Sequence, residues 1–369
     1  MTPRERVLTA MSRRVPDRVP KDLSWGLSPA AKATFREKTG SEDYLDYFGI
    51  ETRVVGLELS KGWGSDYVSP SWETETKDGD FLKYLGDVSG DIRITEWGTG
   101  HVRGSMHHFT KPLFPMAQFE SVREVEEYPF PTFSEAGRRL ELVQKVEKFH
   151  RRDLAVMGGL ACTIFEVSWQ LRGMEQLFLD FSLNPEFAEL LLDRVAEIRC
   201  GMARTYARAG VDILVLGDDV AGQRGMLMSL PTWRRWFRGR LARVIEAAKS
   251  VDPNLLIFYH SDGNPEEVIP DLIDIGVDIL NPLQPECVDP ERIKNRYGNE
   301  LAFWGAISIQ KTMPFGTVRD VKDEVKRRME TVGRGGGFLI GPTHVIEPEV
   351  PWENILAFFE AVEEYGRYD

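Results

Sequence analysis

The feature that most constrains the fold is a run of six strand–helix units between about residue 150 and residue 365. Apolar segments such as "LAVMGG", "ILVLG" and "LLIFY" alternate with longer segments whose apolar residues recur at three- and four-residue spacing. Apolar runs without polar alternation are typical of strands that are covered on both faces, as in a parallel sheet. Two more candidate strands, at 18–25 and 52–59, bring the total to about eight.

A chain of strand–helix units can form either an open parallel sheet or a closed barrel, and the number and type of the units decide between the two. No glycine-rich GxGxxG segment or P-loop follows any of the strands, so nothing favours an open nucleotide-binding sheet. We therefore predict a single (β/α)8 TIM-barrel domain over residues 1–369. Residues 60–130 depart from the rhythm, with closely spaced turn signals, and predict a β-hairpin region inserted in an early βα loop.

Composition narrows the classes of partner. A net charge of −12 argues against nucleic acid, because phosphate binding needs a basic face. No apolar stretch approaches the length of a membrane span, and "MTPRERV" reads as a helix capped by Thr2 instead of a signal peptide. Three widely spaced cysteines argue against a disulfide framework. We expect a cytoplasmic protein that acts on small molecules, and apolar helix surfaces allow a homodimer.

Polar residues follow the predicted strands at their carboxyl ends, where TIM barrels collect their chemistry. Asp218 and Asp219 follow "ILVLG", His260 and Asp262 follow "LIFY", and His344 follows "FLIGPT". Residues i and i+2 of an extended segment point to the same side, so His260 and Asp262 could converge, with His344 facing them across the mouth. Two imidazoles and a carboxylate form an accepted transition-metal site.

Each of these residues also has a structural interpretation. Asp262 could simply form a turn with Gly263 while Asn264 caps the next helix, a role compatible with ligation. His260 could be a core histidine, and His344 could orient its loop. One of the two aspartates at 218 and 219 could cap the following turn.

The cysteines and the histidines of the hairpin region also have structural interpretations. Cys162 and Cys200 are expected in the core, whereas Cys287, in a βα loop, could be a spare ligand. The three histidines in the hairpin region are expected to be structural, because neighbours in a strand point to opposite faces: His101, His107 and His108.

Longer motifs resemble the uroporphyrinogen decarboxylase superfamily, which includes zinc- and corrinoid-dependent methyltransferases. The resemblance covers nearly the whole chain and implies a single-domain TIM barrel. It rests on "RERVLTAMSRRVPDRVP", "GDDVAGQRGMLMSLPTWRRWFRGRL", "LNPLQPE", "FWGAISIQKTMPFGT" and "GGGFLIGPTHVIEPEVPWENILAFFEA".

The decarboxylase branch implies a pair of arginines in an R-x-x-x-R segment that holds a substrate with many carboxylates. The matching stretch here, "KDLSWGLSPAAKATFREKTG", lacks this pair, and Trp25 and Gly26 stand near its position. Carboxylates need fixed cationic partners such as arginine. The resemblance therefore argues against uroporphyrinogen as the substrate.

The methyltransferase branch implies a zinc site made of an H-x-C pair and a later cysteine. These positions fall on His260-Ser261-Asp262 and on His344, so the ligand set reads as His, Asp and His. Exchanging thiolates for a carboxylate and an imidazole leaves more positive charge on the metal, which favours lowering the pKa of a bound thiol or oxygen ligand.

The leading hypothesis is a metal-dependent methyltransferase that transfers a methyl group between a small substrate and a corrinoid. Zinc, or another divalent transition metal, would bind to His260, Asp262 and His344. No corrinoid-binding D-x-H-x-x-G segment is found, so the corrinoid would come on a separate protein. The remaining expected site residues are catalytic (His260, Asp218, Asp219, Glu166) or substrate-binding (Gln223, Trp25, Gln284, His344).

Three alternatives remain open. One is a metal-free decarboxylase with His344 as its late histidine. Another is a metal-dependent hydrolase that uses the same cluster on a water molecule. The third is a non-catalytic barrel, which the polar strand ends disfavour because buried carboxylates are costly to desolvate.

Overall fold

A curled parallel sheet of seven strands forms the centre of the molecule. It is seen in a computed structural model that describes residues 1–57, 81–86, 92–102, 111–134 and 136–368. Its strands, in the order in which they lie side by side, are β1 (Thr52–Val55), β5 (Ala155–Gly159), β6 (Ile213–Gly217), β9 (Leu256–His260), β10 (Ile279–Asn281), β11 (Ala302–Ile307) and β12 (Phe338–Pro342).

The predicted strand at 18–25 is wrong in its extent. Residues 20–22 do lie beside β12, where Ile340 N donates to Pro20 O at 3.0 Å and Asp22 N donates to Ile340 O at 3.0 Å. Pro20 has no N–H for a ladder, and the chain turns at Ser24, whose φ of 50° leaves the extended region. The segment therefore occupies the eighth position as a short bridge instead of a full strand.

Side chains from β1, β5, β6, β9, β10, β11 and the segment beside β12 line one internal space, so the sheet curls into a TIM barrel. This space of about 20 Å³, room for one water-sized molecule, is lined by Asp22, Ser24, Trp25, Val54, Met157, Val215, Phe258, Asn281 and Trp304. Below it, helix α1 (Pro3–Met11) covers the amino-terminal end of the barrel, where its Val7 and Met11 pack in the same apolar cluster as Ile213.

Helices cover the outside of the barrel. They are α2 (Pro29–Thr39), α3 (Tyr44–Tyr47), α4 (Leu82–Leu85), α5 (Val122–Glu126), α6 (Ala136–His150), α7 (Phe165–Arg172), α8 (Met174–Leu183), α9 (Pro185–Ala209), α10 (Leu230–Trp233), α11 (Gly239–Lys249), α12 (Ile269–Asp274), α13 (Pro290–Tyr297), α14 (Thr312–Phe315), α15 (Val318–Glu330) and α16 (Trp352–Tyr365). One turn of π-helix, Arg234–Arg238, joins α10 to α11, and one turn of 3-10 helix, Glu266–Val268, precedes α12.

Local sequence signals explain where these helices begin and end. Thr2 and Glu5 form a capping box at the start of α1, as expected. The apolar spacing in "FEVSWQLRGMEQLFLDF" predicts one helix after β5. The structure has two helices there, because Gly173 between α7 and α8 has a φ of 91° that a helix cannot contain. Helix α9 ends at Gly210, whose left-handed conformation closes it.

The inserted hairpin region follows β1 as expected. Within the described residues it contains a three-stranded antiparallel sheet of β2 (Ile92–Ile94), β3 (Gly100–Val102) and β4 (Lys111–Leu113). His101 lies in β3, whereas His107 and His108 fall outside the described residues. Within that same part of the chain, no helix is long and apolar enough to cross a membrane.

Asp212, just before β6, ties α1 to the amino-terminal end of the barrel. Its carboxylate accepts from Arg4 Nη2 at 2.7 Å, from Val156 N at 2.8 Å, and pairs with His150 Nε2 at 3.0 Å. The Asp212 side chain is only 5% exposed, so these partners replace the water that it loses on folding.

We expect Asp212→Ala to lower the free energy of unfolding by about 2 kcal/mol, because it leaves a buried N–H and two cationic or polar groups without their acceptor. Urea unfolding followed by circular dichroism measures the change. Asp323→Ala, which removes an exposed carboxylate paired with Arg319, serves as the control and should change stability by less than about 1 kcal/mol. Equal effects of the two variants would contradict the role given to Asp212.

Candidate functional site

The site is built where β6, β9 and β10 end side by side. The strand register pairs Gly217 with His260 and His260 with Asn281, so these three residues lie at one level of the barrel. A Cβ atom at Gly217 would lie 2.7 Å from His260 Cβ and 2.7 Å from His260 O. Glycine at 217 therefore makes room for His260 at the barrel mouth.

His260 is held by its neighbours on both sides. It is 7% exposed, and its Nδ1 lies 2.6 Å from Asn281 Oδ1. The indole of Trp25 packs edge-on against the imidazole, with ring centroids 4.7 Å apart. These contacts leave Nε2 as the nitrogen that faces the mouth, 3.7 Å from Asp219 Oδ1 and 3.8 Å from Asp262 Oδ1.

The structure brings His260, Asp262 and His344 together, as their strand-end positions suggest. One ligand-type atom from each side chain lies within 4.8 Å of the others. Asp262 Oδ2 is 3.9 Å from His344 Nε2. The Asp262 and His344 side chains are 36% and 39% exposed, so the cluster is open to solvent on one side.

Trp25 lies over this cluster. Its ring centroid is 4.7 Å from that of His260 and 6.3 Å from that of His344, and the two imidazole centroids are 6.3 Å apart, so the indole packs beside both imidazoles. The left-handed turn at Ser24 and Gly26 directs the chain here, and Ser24 Oγ donates to Pro342 O at 2.5 Å. Trp25 is thus positioned to contact a molecule in the mouth.

Asp219 extends the carboxylate cluster toward α7. Its Oδ1 accepts from Asp262 N at 2.8 Å, and its own backbone N donates to Glu166 Oε2 at 3.2 Å. Glu166, in the first turn of α7, is thereby linked to the histidine cluster through Asp219. Three carboxylates, those of Asp262, Asp219 and Glu166, form a chain along one side of the mouth.

Asp218 has a different environment from its neighbour. Its carboxylate accepts from Ile164 N at 3.0 Å and from Glu166 N at 2.9 Å, and so caps the amino-terminal end of α7. Burial raises the pKa of Asp218 to about 6 despite these backbone donors. This cap is on α7 and not on the turn that follows the two aspartates, where a cap was expected, and a catalytic role for Asp218 stays a prediction.

The surroundings of Glu166 favour the protonated form of its carboxyl group. Burial, followed by the negative charges of Asp219 and Asp218, raises the pKa of the Glu166 carboxyl well above its usual range. A carboxyl that keeps its proton near neutral pH can donate it to a leaving group.

Gln284, Gln223 and Cys287 are placed less centrally. Gln284 is 6% exposed, and its Oε1 accepts from Gly263 N at 3.0 Å, which supports the turn that carries Asp262. Gln223 is exposed at the tip of the hairpin formed by β7 (Ala221–Gly222) and β8 (Gly225–Met226). Burial and the charges of Glu286 and Asp262 raise the pKa of Cys287, which disfavours its thiolate form. Substrate contacts of the two glutamines remain predictions.

The turn after His260 forms as expected, and its geometry is compatible with a ligand role for Asp262, which stays a prediction. Asn264 Oδ1 accepts from Glu266 N at 3.2 Å, which starts the following 3-10 turn. Asn264 N donates to Gly222 O at 2.9 Å, and Gly263, with a φ of 83°, packs directly on that carbonyl. The turn is therefore fixed against the β7–β8 hairpin while Asp262 faces the mouth.

Sequence reasoning missed two buried polar residues near the site, Asn281 and Asp22. Asn281 is 1% exposed and also donates through Nδ2 to Trp304 O at 3.0 Å. Asp22 is 6% exposed, lines the internal space below Trp25, and accepts from Leu23 N at 2.8 Å and from the Trp304 side chain. The aspartate directly before an apolar residue in "KDLSW" was the available signal for Asp22.

A parallel barrel with a histidine and carboxylate cluster at its carboxyl-end mouth defines the general class, and comparison with known proteins defines the family. The family model for uroporphyrinogen decarboxylase (URO-D) matches residues 101–365. The chain therefore belongs to the uroporphyrinogen decarboxylase family.

Members with different named activities are similar to this chain. The methylcobamide:CoM methyltransferase of Methanosarcina barkeri is 27% identical over 227 residues, which are 61% of this chain and 63% of the relative. The uroporphyrinogen decarboxylase of Pseudomonas fluorescens is 26% identical over 181 residues, 49% of each chain. The chain thus spans less than two thirds of the length of these relatives.

A solved structure has the same fold over the whole chain. A methyltransferase from Methanosarcina mazei superimposes with a TM-score of 0.66, covering 99% of each chain at 17% sequence identity. At this identity the likeness describes the fold, and it agrees with a TIM barrel.

We expect Gly217→Ala to lower the free energy of unfolding by about 1–3 kcal/mol, because the added methyl group overlaps the His260 backbone and Cβ. Chemical denaturation measures the change. Gly201→Ala is the matched control: Gly201 lies exposed in α9 with nothing within 4 Å of the added methyl group, so this variant should gain about 0.5–1 kcal/mol. Effects of the same sign would contradict the close packing at Gly217.

A second prediction concerns pH. Burial raises the pKa of Asp22 to about 7, above the value of about 4 in an unfolded chain. The native protein therefore holds a proton that the unfolded chain releases, so the stability from this proton is complete below about pH 4 and is lost as pH rises toward 7. Asp22→Asn should flatten this part of a profile of unfolding free energy against pH. An unchanged slope would contradict the expectation.

Proposed function

We propose that this chain, acting as one barrel domain, is a metal-dependent methyltransferase of the uroporphyrinogen decarboxylase family. It would transfer a methyl group between a corrinoid, carried by a separate protein, and a small acceptor or donor. The similarity to the methylcobamide:CoM methyltransferase of M. barkeri supports the reaction type. A second relative, the methylated-thiol–coenzyme M methyltransferase of Methanosarcina mazei, is 23% identical over 276 residues and supports the same class.

The observation that carries the proposal is the convergence of His260, Asp262 and His344 at the barrel mouth. Zinc binds imidazole nitrogen and carboxylate oxygen at roughly 2.0–2.2 Å, which places tetrahedral ligand atoms a little over 3 Å apart. The separations of 3.8 Å and 3.9 Å between these side chains are close to that spacing. The open side of the cluster leaves space for a fourth ligand, as catalytic zinc sites require.

The charges around His260 also fit a cation. The Asp219 and Asp262 carboxylates both face His260 Nε2, beyond hydrogen-bond distance. Two carboxylates that face the same nitrogen atom repel each other unless a positive charge lies between them. A divalent metal, when bound, would supply that charge and lower the pKa of a thiol or oxygen ligand.

The other mouth residues would bind and orient the reactants. Trp25 would form an apolar wall over the cluster and exclude water from one side. Glu166, whose pKa is raised by burial and by its charged neighbours, would hold a proton on the Asp219 side of the mouth and donate it to a leaving group. In the thiol reaction, the corrinoid would supply the methyl group and keep the electron pair of the broken bond, and the thiol would lose its proton to water at the open side of the cluster.

The same charges disfavour the decarboxylase alternative. Uroporphyrinogen carries eight carboxylates, which would meet the carboxylates of Asp219 and Asp262 at the mouth. Trp25, close to the position of the family's arginine pair, offers an aromatic surface and no positive charge. We therefore favour a neutral or cationic small molecule, or a single thiolate, as the partner in the reaction.

The first test is metal content together with activity. We expect the purified protein to bind about one zinc ion per chain, and His260→Ala to weaken zinc affinity by about 100-fold or more, because a lost ligand costs more than a lost supporting residue. Elemental analysis and competition with a chromophoric chelator measure both. His150→Ala, at the opposite end of the barrel beside Asp212, is the control and should retain zinc.

Methyl transfer is measured with methylcobalamin and coenzyme M. We expect the zinc-loaded protein to convert the methylcobalamin spectrum to that of demethylated cobalamin, and His260→Ala to abolish the conversion. A folded protein that binds no zinc and leaves methylcobalamin unchanged would contradict the proposal. Release of CO2 from uroporphyrinogen by metal-free protein would establish the decarboxylase alternative in its place.

A further inference from the structure

The amide of Asn281 has one possible orientation. Its neighbour on β11 is the carbonyl of Trp304, 3.0 Å from Nδ2, and a carbonyl oxygen can only accept. The NH2 group of Asn281 must therefore face Trp304, and its oxygen must face His260. Because Asn281 is 1% exposed, water does not compete for either position.

This orientation determines which nitrogen of His260 carries a proton. The amide oxygen of Asn281 can only accept, and it lies 2.6 Å from His260 Nδ1. Nδ1 must therefore be the N–H donor. A neutral imidazole has a single N–H, so Nε2 then presents its lone pair to the mouth.

Nε2 is the nitrogen that faces Asp262 and Asp219. A lone pair directed at two carboxylates is unfavourable without a cation between them, whereas an Nε2–H would be expected within about 3 Å of its acceptor. The distances of 3.7 Å and 3.8 Å are longer than that, as expected for a nitrogen prepared to bind something other than a proton.

We infer that Asn281 is a positioning residue: it holds His260 in the Nδ1–H tautomer, so that Nε2 is available as a ligand atom. The strand register supports this role, because β9 and β10 pair His260 directly with Asn281. The part concerning the ligand atom rests on the proposed function, whereas the tautomer does not require a metal.

The tautomer is read directly by NMR. Protein labelled with 15N-histidine, stripped of metal with a chelator and held above the titration of its imidazoles, gives long-range 1H–15N correlations that separate the two tautomers. Loss of one signal set in His260→Ala assigns the residue. We expect His260 to be in the Nδ1–H form; a proton on Nε2 in the wild-type protein would overturn the inference.

Two substitutions at 281 separate the amide's effect from packing. Asn281→Leu keeps similar bulk but has no acceptor, so we expect the Nε2–H form to appear and zinc affinity to fall by about 10–100-fold. Asn281→Asp retains an oxygen acceptor for Nδ1, so we expect it to keep the Nδ1–H form and to bind zinc within about tenfold of wild type. An Asn281→Leu protein with the wild-type tautomer or the wild-type zinc affinity would overturn the inference.

Asn354→Leu is the matched control. Asn354 is 2% exposed and donates to Met313 O and Gly316 O, so its replacement removes an asparagine as buried as Asn281 but far from the mouth. It should lower stability and leave both the His260 tautomer and zinc affinity unchanged.

If the wild-type protein binds no zinc at all, the proposed function fails, and the tautomer measurement still decides the role of Asn281. If Asn281→Leu does not fold, the wild-type spectrum and Asn281→Asp decide it.

Discussion

The candidate site depends on the register between β6, β9 and β10. Because Gly217, His260 and Asn281 are paired across these strands, the imidazole has a glycine on one side and an amide acceptor on the other. A shift of one residue along β9 would turn His260 away from the mouth and replace it by a neighbour. The apolar side chains inside the barrel, such as Val215 and Phe258, fix this register and so fix the chemistry above them.

The barrel was predictable because its strands are long apolar runs. Seven predicted strands, from Thr52–Val55 to Phe338–Pro342, lie in the sheet where periodicity places them. The extent of the segment at 18–25 was not predictable from its apolar residues. Pro20 and the left-handed backbone at Ser24 shorten it, and the pattern of apolar residues gives no sign of either effect. The break at Gly173 was missed for a related reason: a glycine inside a helical pattern either fits or ends the helix, and only packing decides which.

The site was predictable in its outline and not in its supporting contacts. Strand-end positions bring His260, Asp262 and His344 together, and the sequence contains all three as polar residues after apolar runs. The difference between Asp218, which caps α7, and Asp219, which faces the cluster, depends on the direction of two adjacent side chains. Asn281 lies at the end of an apolar run, so nothing local shows that its partners are His260 and the Trp304 carbonyl.

The charge balance at the mouth links the fold to the proposed chemistry. Two unit charges 4 Å apart interact by about 4 kcal/mol at an effective dielectric constant near 20, so the carboxylates around His260 need compensation. At Glu166, burial and the neighbouring carboxylates raise the pKa, which favours the neutral carboxyl and reduces the repulsion. Asp262 lies between two imidazoles, and a cation shared with them would satisfy it. In the proposed site, an aspartate in place of a cysteine thiolate would leave a bound metal more electrophilic, which would suit activation of a ligand that must lose its proton before it reacts.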